Sequence, residues 1–542
     1  MSENKKKKGE LLSRFLPYYK KYKGILVLDL LCAALTTVVE IVLPLIAREI
    51  TGRAETDVAS LTPRFILTCG VIYLVLRLID TAAYYYMASA GHVMGTKIET
   101  DMRRDFFTHL QKLSFSYYDN TKIGTLMSRI TSDLFDVTEF AHHCPEEFFI
   151  AGIKIIASFI ILCTINIPLT LLIFAIVPFM IICMTRFRTK MKEGFKESRR
   201  IVGELNSQVE DSLLGIHEVK SFANEDTEID KFEKSNSSFL SVKKKVYKYM
   251  GAFQSSTRFF DGALYIIVVV AGAFFLADNK ISSADFIAFM LFASMLLTSI
   301  RRLVEFTEQF QRGMTGIERF CEIMDIDPDI EDSPNAEIIE NVKGDITFEN
   351  LTFRYSGTEK NVLCKLNLHV KAGESVALVG PSGGGKTTLC ALIPRFYEAN
   401  DGRILVDGKS IKDVTQKSLR EHIGIVQQDV YLFSGSVREN IAYGKPNCTE
   451  EEIIEAAKLA GAHDFILTLP DGYDTYVGAG LPRAAPERFQ KLSAKQHLRF
   501  QGVRSHRQKG GRQAQQPVQH RKRGLRKGLE RYPHLRGVRL YA

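Results

Sequence analysis

The chain lacks the cysteine patterns that mark metal-binding or disulfide-bonded proteins. Its nine cysteines include no Cys-x-x-Cys pair, so we expect neither a metal site nor a disulfide framework. No signal peptide is predicted either, because the first apolar stretch is too long and lacks a small-residue cleavage site. These absences argue against a small secreted protein.

Acidic side chains are almost absent from the last part of the chain. Residues 479–542 contain 17 Lys/Arg against 2 Asp/Glu, and no aspartate follows Asp474. The rest of the chain has 54 basic and 60 acidic side chains, so the formal net charge of +9 does not describe it. Nucleic acid is therefore not expected as a partner of the main body. The mean hydropathy of −0.03 is likewise an average over two unlike halves.

Long apolar stretches dominate the first 300 residues. Most of them reach the ~17–25 residues that a helix needs to cross a bilayer, which predicts six membrane spans. Lys/Arg clusters precede the first and fifth stretches and follow the fourth and sixth, which places both termini in the cytoplasm. The stretches are residues 24–47, 65–89, 147–165, 167–185, 262–277 and 284–300.

The two cytoplasmic connections, 90–146 and 186–261, are too long for plain loops. We expect helical arms that extend roughly 38 Å beyond the bilayer and break near 117–124 and 213–217. Several charges also lie within or beside the spans. Arg77 and Asp80 are three residues apart and can pair, Glu40 and Lys154 lie deep, and Asp29 is near the cytoplasmic edge. A substrate pathway and structural ion pairs both remain open for the deep charges.

A phosphate-binding pattern lies in the second half, beyond an acidic, proline-interrupted linker. Residues 380–388, Gly-Pro-Ser-Gly-Gly-Gly-Lys-Thr-Thr, fit G-x-x-x-x-G-K-[ST]. Residues 375–379 before them predict a short buried strand, and 386–391 predict the start of a helix. This order lets backbone N–H groups and a helix N-terminus face an anion. Lys386 can reach the β- and γ-phosphates, and Thr387 can offer its hydroxyl to Mg²⁺.

With these features, residues 10–478 resemble an ATP-binding cassette (ABC) exporter of the half-transporter kind. Phe353-Arg-Tyr355 resembles the aromatic A-loop, so Tyr355 would stack on adenine. Gln428 resembles the Q-loop glutamine that contacts Mg²⁺ and the attacking water. Residues 433–441 resemble the segment that follows this glutamine in the family, and that match is very specific. The breaks at 117–128 and 213–223 resemble the helices that dock onto the ATP-binding domains.

The resemblance implies ATP and Mg²⁺ as cofactors, a second half-transporter as partner, an unidentified exported substrate and a bacterial cytoplasmic membrane. It leaves homodimer and heterodimer open. The ATP-binding residues would be Tyr355, Gly380, Ser382, Gly383, Gly384, Gly385, Lys386, Thr387, Thr388 and Gln428, with Thr387 and Gln428 directed to Mg²⁺.

The resemblance stops after Gly478. No Leu-Ser-Gly-Gly-Gln signature, no apolar strand ending in Asp-Glu and no switch histidine at a strand end follow. Leu492–Gln496 echoes the signature, but alanine and lysine replace its two glycines. Hydrolysis needs an organised water and Mg²⁺ held by an acid, so no catalytic residue beyond Gln428 is expected. The missing strand should also leave apolar faces of the sheet uncovered.

Three interpretations of residues 479–542 stay open: out-of-frame translation after a shift near codon 479, a basic disordered arm that binds nucleic acid or anionic lipid, and a diverged but active ATPase. A membrane protein that senses nucleotide without transporting a substrate is the rival function.

The predicted fold is a six-span helical bundle with cytoplasmic arms, fused to an incomplete α/β P-loop domain. We expect a membrane domain at 1–324, a linker at 325–343, an ATP-binding domain at 344–478 and a disordered tail at 479–542.

Overall fold

The structure of the chain is a computed structural model that describes residues 2–426, 431–478 and 539–541. Its internal contacts divide it into two units. The first unit comprises Met1–Leu113 and Thr121–Asp327, and the second comprises Ser114–Asn120 and Pro328–Ala542. The short segment Ser114–Asn120 thus packs with the second unit, although its neighbours in the chain belong to the first.

Eleven helices precede residue 325 in the described part of the chain, and all but α5 belong to the first unit. One five-residue π-helix, Met87–Gly91, joins α3 to α4, and another, Arg129–Asp133, joins α6 to α7. The helices are α1 (Ser2–Lys20), α2 (Lys23–Thr56), α3 (Pro63–Tyr86), α4 (His92–Leu110), α5 (Phe115–Asn120), α6 (Ile123–Ser128), α7 (Leu134–Ile165), α8 (Ile167–Leu214), α9 (Ile216–Ser221), α10 (Glu225–Ala277) and α11 (Ser283–Met324).

Six helical stretches are long and apolar enough to cross a membrane within the described residues. Each contains one of the six apolar stretches predicted from the sequence, which confirms that prediction. They are Lys23–Thr56, Pro63–Leu110, Ile123–Ile165, Ile167–Leu214, Glu225–Ala277 and Ser283–Met324.

Helices α8 and α10 are far longer than a bilayer requires, which agrees with the prediction of helical arms that extend beyond the membrane. Helix α10 has 53 residues and α8 has 48, whereas about 20 residues cross the hydrocarbon core. The predicted break in the second arm pair is also present, because α8 ends at Leu214, α9 covers Ile216–Ser221 and α10 begins at Glu225. Helices α8 and α10 pack extensively against each other.

Local capping chemistry explains where several spans begin. The side-chain oxygen of Asn166 accepts a hydrogen bond from the backbone N–H of Leu169 at 3.0 Å, so a single residue separates α7 from α8. Ser282 and Asp285 form a reciprocal capping box at the start of α11. Such caps satisfy backbone N–H groups that have no partner within the helix.

The core of the first unit lies between α8, α10 and α11. It contains fully buried aliphatic and aromatic side chains, and because lipid is as apolar as they are, close van der Waals packing favours this association. They include Leu169, Ile173, Leu264, Val268, Phe289 and Phe292.

The deep charges of the spans are paired. Arg77 Nη1 lies 2.8 Å from Asp80 Oδ2, as the sequence spacing predicts, and Lys154 Nζ lies 2.5 Å from Glu40 Oε2. Pairing reduces the cost of placing a charge within the membrane. Asp29 differs, since its side chain is fully buried and neither carboxylate oxygen has a hydrogen-bond partner among the described residues.

Glycines allow α7 and α11 to approach closely, and this contact yields a stability prediction. A Cβ on Gly313 would overlap the Phe140 side chain, so we expect Gly313→Ala to destabilise the unit by about 1–3 kcal/mol through overpacking. The matched control is Gly251→Ala in α10, where a Cβ would meet nothing within 4 Å. It should be neutral or slightly stabilising. Thermal unfolding of both variants in detergent tests this, and equal midpoints would contradict the packing argument.

The second unit is built on a four-stranded antiparallel sheet in the order β2-β1-β4-β5. Its other described strands form two short pairs, β3 with β8 and β6 with β7. The strands are β1 (Ile346–Phe353), β2 (Leu363–Val370), β3 (Ser375–Ala377), β4 (Asp401–Val406), β5 (Lys409–Ser410), β6 (Gly435–Ser436), β7 (Tyr476–Val477) and β8 (Arg539–Tyr541). The helices are α12 (Lys386–Leu392), α13 (Gln416–Glu421), α14 (Val437–Ala442), α15 (Glu450–Leu459) and α16 (His463–Ile466).

The core of this unit lies between the four-stranded sheet and α12. Inward-facing residues of β1 alternate with outward-facing ones, but the alternation shifts at Asn350, whose φ of 49° marks a bulge. Phe348, Leu351 and Leu392 are among its fully buried side chains. The sheet therefore holds the start of α12, and with it the glycine loop, against a packed surface.

The strand predicted at 375–379 is shorter and more exposed than expected. Only Ser375–Ala377 are in strand conformation, and Val379 is 93% exposed. Val426, at the end of another stretch rich in apolar residues, is 96% exposed. The physical reason is that β3 has only one strand neighbour in the described part of the chain, the three-residue β8, in parallel register from Ser375↔Arg539 to Ala377↔Tyr541. The prediction of a buried strand was wrong, whereas the expectation that a missing strand leaves apolar faces uncovered stays a prediction, because residues 479–538 lie outside the described part of the chain.

Candidate nucleotide site

The glycine loop connects β3 to α12 as a tight turn. Gly383 and Gly385 have φ angles of +78° and +77°, a region that only glycine enters without strain. A Cβ on Gly385 would also lie 2.9 Å from Leu363 Cδ2, so a larger residue would push the loop off the sheet. The sequence Gly380–Gly385 thus folds into a turn that leads directly into the first backbone N–H groups of α12.

Lys386 lies across this loop. Its Nζ donates hydrogen bonds to the backbone oxygens of Pro381 at 2.9 Å and Gly380 at 3.2 Å. A lysine held over a ring of backbone groups places a positive charge where phosphate oxygens would be bound. Ser382 and Thr387 are exposed beside it, so the hydroxyl of Thr387 is free to reach a ligand.

Tyr355 reaches the same loop from the end of β1. Its hydroxyl lies 2.8 Å from Thr388 Oγ1, and Thr388 is buried at the first turn of α12. The Tyr355 ring packs edge-on against Phe353 and Tyr397, at centroid distances of 5.0 and 5.3 Å. The structure therefore brings together Tyr355 and the glycine loop, which lie 25 or more residues apart in the sequence.

Gln428 lies outside the described residues, as do 479–538. The described strand beside β3, Arg539–Tyr541, contains no acidic residue. In the described part of the site, the charge that would meet a nucleotide is thus the positive charge of Lys386. The arrangement is suited to binding a polyphosphate, and it places no described carboxylate on the strand next to the loop.

Tyr397 is a residue of this region that the sequence did not single out. Its hydroxyl donates a hydrogen bond of 2.7 Å to Asp119 Oδ2 in α5, and burial, together with this bond, raises the pKa of the phenol above its ordinary value. Next to it, the rings of Phe115 and Phe396 pack at a centroid distance of 4.4 Å. Helix α5 is thereby fixed to the aromatic group that also contains Tyr355.

The bond from Tyr397 to Asp119 predicts the local stability of α5. A hydrogen bond to a charged group contributes about 1.5–3 kcal/mol, so Tyr397→Phe should increase the local opening of α5 by about tenfold or more. Hydrogen exchange of a peptide covering 114–120 measures this. Tyr355→Phe is the matched control, because it removes a hydroxyl from the same aromatic group without touching Asp119. Unchanged exchange in Tyr397→Phe would show that the bond contributes nothing.

Two family models match the chain. One, described as the ABC transporter transmembrane region, covers residues 26–300, and the other, described as ABC transporter, covers residues 363–484. The chain is 39% identical over 490 residues to the uncharacterized ABC transporter ATP-binding protein YwjA of Bacillus subtilis, covering 90% of this chain and 83% of that protein. It is 30% identical over 496 residues to YgaD of the same organism, provisionally named a multidrug export ATP-binding/permease protein, covering 90% and 84%.

Proposed function

The chain belongs to the ABC transporter family, and from this premise we propose that it is the fused permease and ATP-binding subunit of an exporter in a bacterial cytoplasmic membrane. It is a multi-pass membrane protein, and its family couples transport to the hydrolysis of ATP. Both termini face the cytoplasm in this proposal, and a second half-transporter, identical or different, completes the assembly. The exported substrate is a drug, lipid or peptide-like molecule.

One observation carries the proposal: six spans and a glycine loop with its lysine occur in one chain, in the order that the family matches cover. We assign 1–324 to the membrane domain, 325–343 to the linker, 344–478 to the ATP-binding domain and 479–542 to a tail outside the family pattern. Helix α5 supports this assignment, since it comes from the connection between two spans and packs on the second unit.

Within this function, ten residues hold Mg²⁺-ATP. Tyr355 stacks on adenine, Lys386 and the loop amides bind the phosphates, and Thr387 with Gln428 faces Mg²⁺. The backbone turn and the Lys386 contacts support the phosphate assignments. The other six residues lie in the glycine loop and at the start of α12: Gly380, Ser382, Gly383, Gly384, Gly385 and Thr388.

We further propose that this chain binds ATP without turning it over. No signature, no strand ending in Asp-Glu and no switch histidine occur in residues 479–542, and such groups organise the water, the metal and the γ-phosphate in phosphoryl transfer. The exposed Val379 and Val426 support the same view, because they lie where neighbouring strands would cover them.

Transport by inside-out vesicles tests the proposed function. A fluorescent amphipathic dye is the probe, and the protein is compared with a variant in which a segment carrying signature, Asp-Glu strand and switch histidine replaces residues 479–542. We expect ATP-dependent dye accumulation by the variant, none by the unaltered chain, and none when Lys386→Ala is added to the variant. A nucleotide sensor that does not transport is the rival function; ATP binding and hydrolysis by the variant, without movement of dye, lipid or peptide probes, would favour it.

A further inference from the structure

Three histidines from two different spans meet in the first unit, away from the nucleotide site. His92 is the first residue of α4, and His142 and His143 are neighbours in α7. One ring nitrogen from each lies within 4.8 Å of the others. Their rings are in close, tilted contact, with centroid distances of 4.0 Å between His142 and His143 and 4.4 Å between His92 and His142.

The tautomer of His142 is fixed by its surroundings. Its Nδ1 lies 2.7 Å from the backbone oxygen of Thr138, and because a carbonyl oxygen can only accept, Nδ1 carries the proton. The buried Nε2 therefore keeps its lone pair, and it has no hydrogen-bond partner among the described residues. Metal-bound histidines typically donate their other N–H to a backbone carbonyl or carboxylate in this way.

The backbone around His92 is shaped to admit polar side chains. The π-helix Met87–Gly91 immediately precedes it, and such segments are frequent at functional sites. A Cβ on Gly95 would lie 2.7 Å from His142 Nδ1, and one on Gly91 would lie 3.0 Å from Asp29 Oδ1. The two glycines thus make room for the imidazole and for the carboxylate.

Two carboxylates, those of Asp29 and Glu139, lie near the histidine cluster. Asp29 is fully buried with both carboxylate oxygens unpartnered among the described residues, and it lies against Gly91, the residue before His92. Glu139 Oε2 lies 3.8 Å from His143 Nε2. A buried carboxylate without a partner is costly, and a cation held by the histidines would offset that cost.

We propose that His92, His142 and His143 form a binding site for a divalent transition-metal ion, with Zn²⁺ as the best fit. Three neutral imidazoles match the ligand preference of Zn²⁺ and leave a fourth tetrahedral position open. Cobalt, nickel and copper share a preference for imidazole. The ion would join α4 to α7, and so the second predicted span to the third, at their cytoplasmic ends. The sequence predicted no metal site, because His92 lies 50 positions before the adjacent pair His142 and His143 and their spacing matches no metal-binding pattern along the chain.

Cobalt binding by the purified full-length protein in lipid nanodiscs tests the site. Co²⁺ is the probe because tetrahedral Co²⁺ has an intense visible absorption, and the affinity tag must contain no histidines. We expect one tetrahedral Co²⁺ per chain, displaced by Zn²⁺. His92→Ala and His142→Ala should each weaken binding by about 100-fold or more, since even ligand-supporting residues contribute 10–100-fold.

The matched control is His217→Ala, which removes an exposed histidine of α9 and should change the affinity by less than about twofold. Histidines in residues 479–542 remain in every variant and cannot produce the difference. His92 is exposed, so His92→Ala should not disturb the fold. If His142→Ala fails to fold, the metal affinity of His92→Ala alone tests the proposal. No tetrahedral spectrum in the unaltered protein, or a spectrum that survives His92→Ala, would overturn the proposal.

Discussion

Lys386→Ala should lower the affinity of the protein for Mg²⁺-ATP by about 10- to 100-fold. Hydrogen bonds to charged groups contribute about 1.5–3 kcal/mol, and 1.4 kcal/mol corresponds to a factor of ten. In the structure the Lys386 ammonium already lies over the glycine loop, bonded to the backbone oxygens of Pro381 and Gly380. The loop conformation itself depends on the glycines rather than on the lysine, so the fold should survive the substitution.

Equilibrium binding of ATP in detergent, in the presence of Mg²⁺, measures this effect. Lys371→Ala is the control, because it removes an exposed lysine from the turn just before β3 and should leave the affinity unchanged. Thermal unfolding of both variants checks that the second unit stays folded. Equal ATP affinities of Lys386→Ala and the unaltered chain would show that the glycine loop is not the binding site.

Replacing residues 479–542 with a segment that supplies the signature, the Asp-Glu strand and the switch histidine should raise ATP hydrolysis by about 10³-fold or more. General acid–base and electrostatic groups each contribute factors of about 10²–10⁴, and this chain retains the loop on which they act. The new strand should also cover Val379 and Val426, which are now exposed. Burial of a valine stabilises by about 1.5–3 kcal/mol, so the unfolding midpoint should rise as well.

The coding DNA itself can show whether another reading frame encodes the missing segment. Out-of-frame translation predicts that another frame after codon 478 encodes Leu-Ser-Gly-Gly-Gln and an apolar strand ending in Asp-Glu. If no frame does, the shift hypothesis is wrong and the basic-arm interpretation gains weight. That interpretation predicts RNA or anionic-lipid binding with a steep salt dependence, lost when 479–542 are deleted.

The membrane half could be predicted from the sequence because its signals are local. An apolar run of bilayer length predicts a span by itself, and all six runs lie within the observed helices. The break between α8 and α10 was likewise marked by the glycine at position 215. The pair of Arg77 and Asp80 was predictable for the same reason, since the two residues lie three apart on one helix.

The features that the sequence did not predict depend on distant parts of the chain. Tyr397 and Asp119 are separated by 278 positions, and the histidines of α4 and α7 meet only after two spans pack. The strand at 375–379 looked buried because its residues are apolar, but burial also requires neighbouring strands, and the described partner is only the three-residue β8. The glycine loop, in contrast, has the same turn and helix that its pattern predicts.

The central claim is that this chain supplies one half of an ATP site and not the half that completes hydrolysis. Steady-state ATP hydrolysis by the purified unaltered chain in nanodiscs, measured beside Lys386→Ala, tests it most directly. We expect both proteins to release phosphate at the same background rate, although the unaltered chain binds ATP more tightly than Lys386→Ala. Robust hydrolysis by the unaltered chain that disappears in Lys386→Ala would contradict the claim.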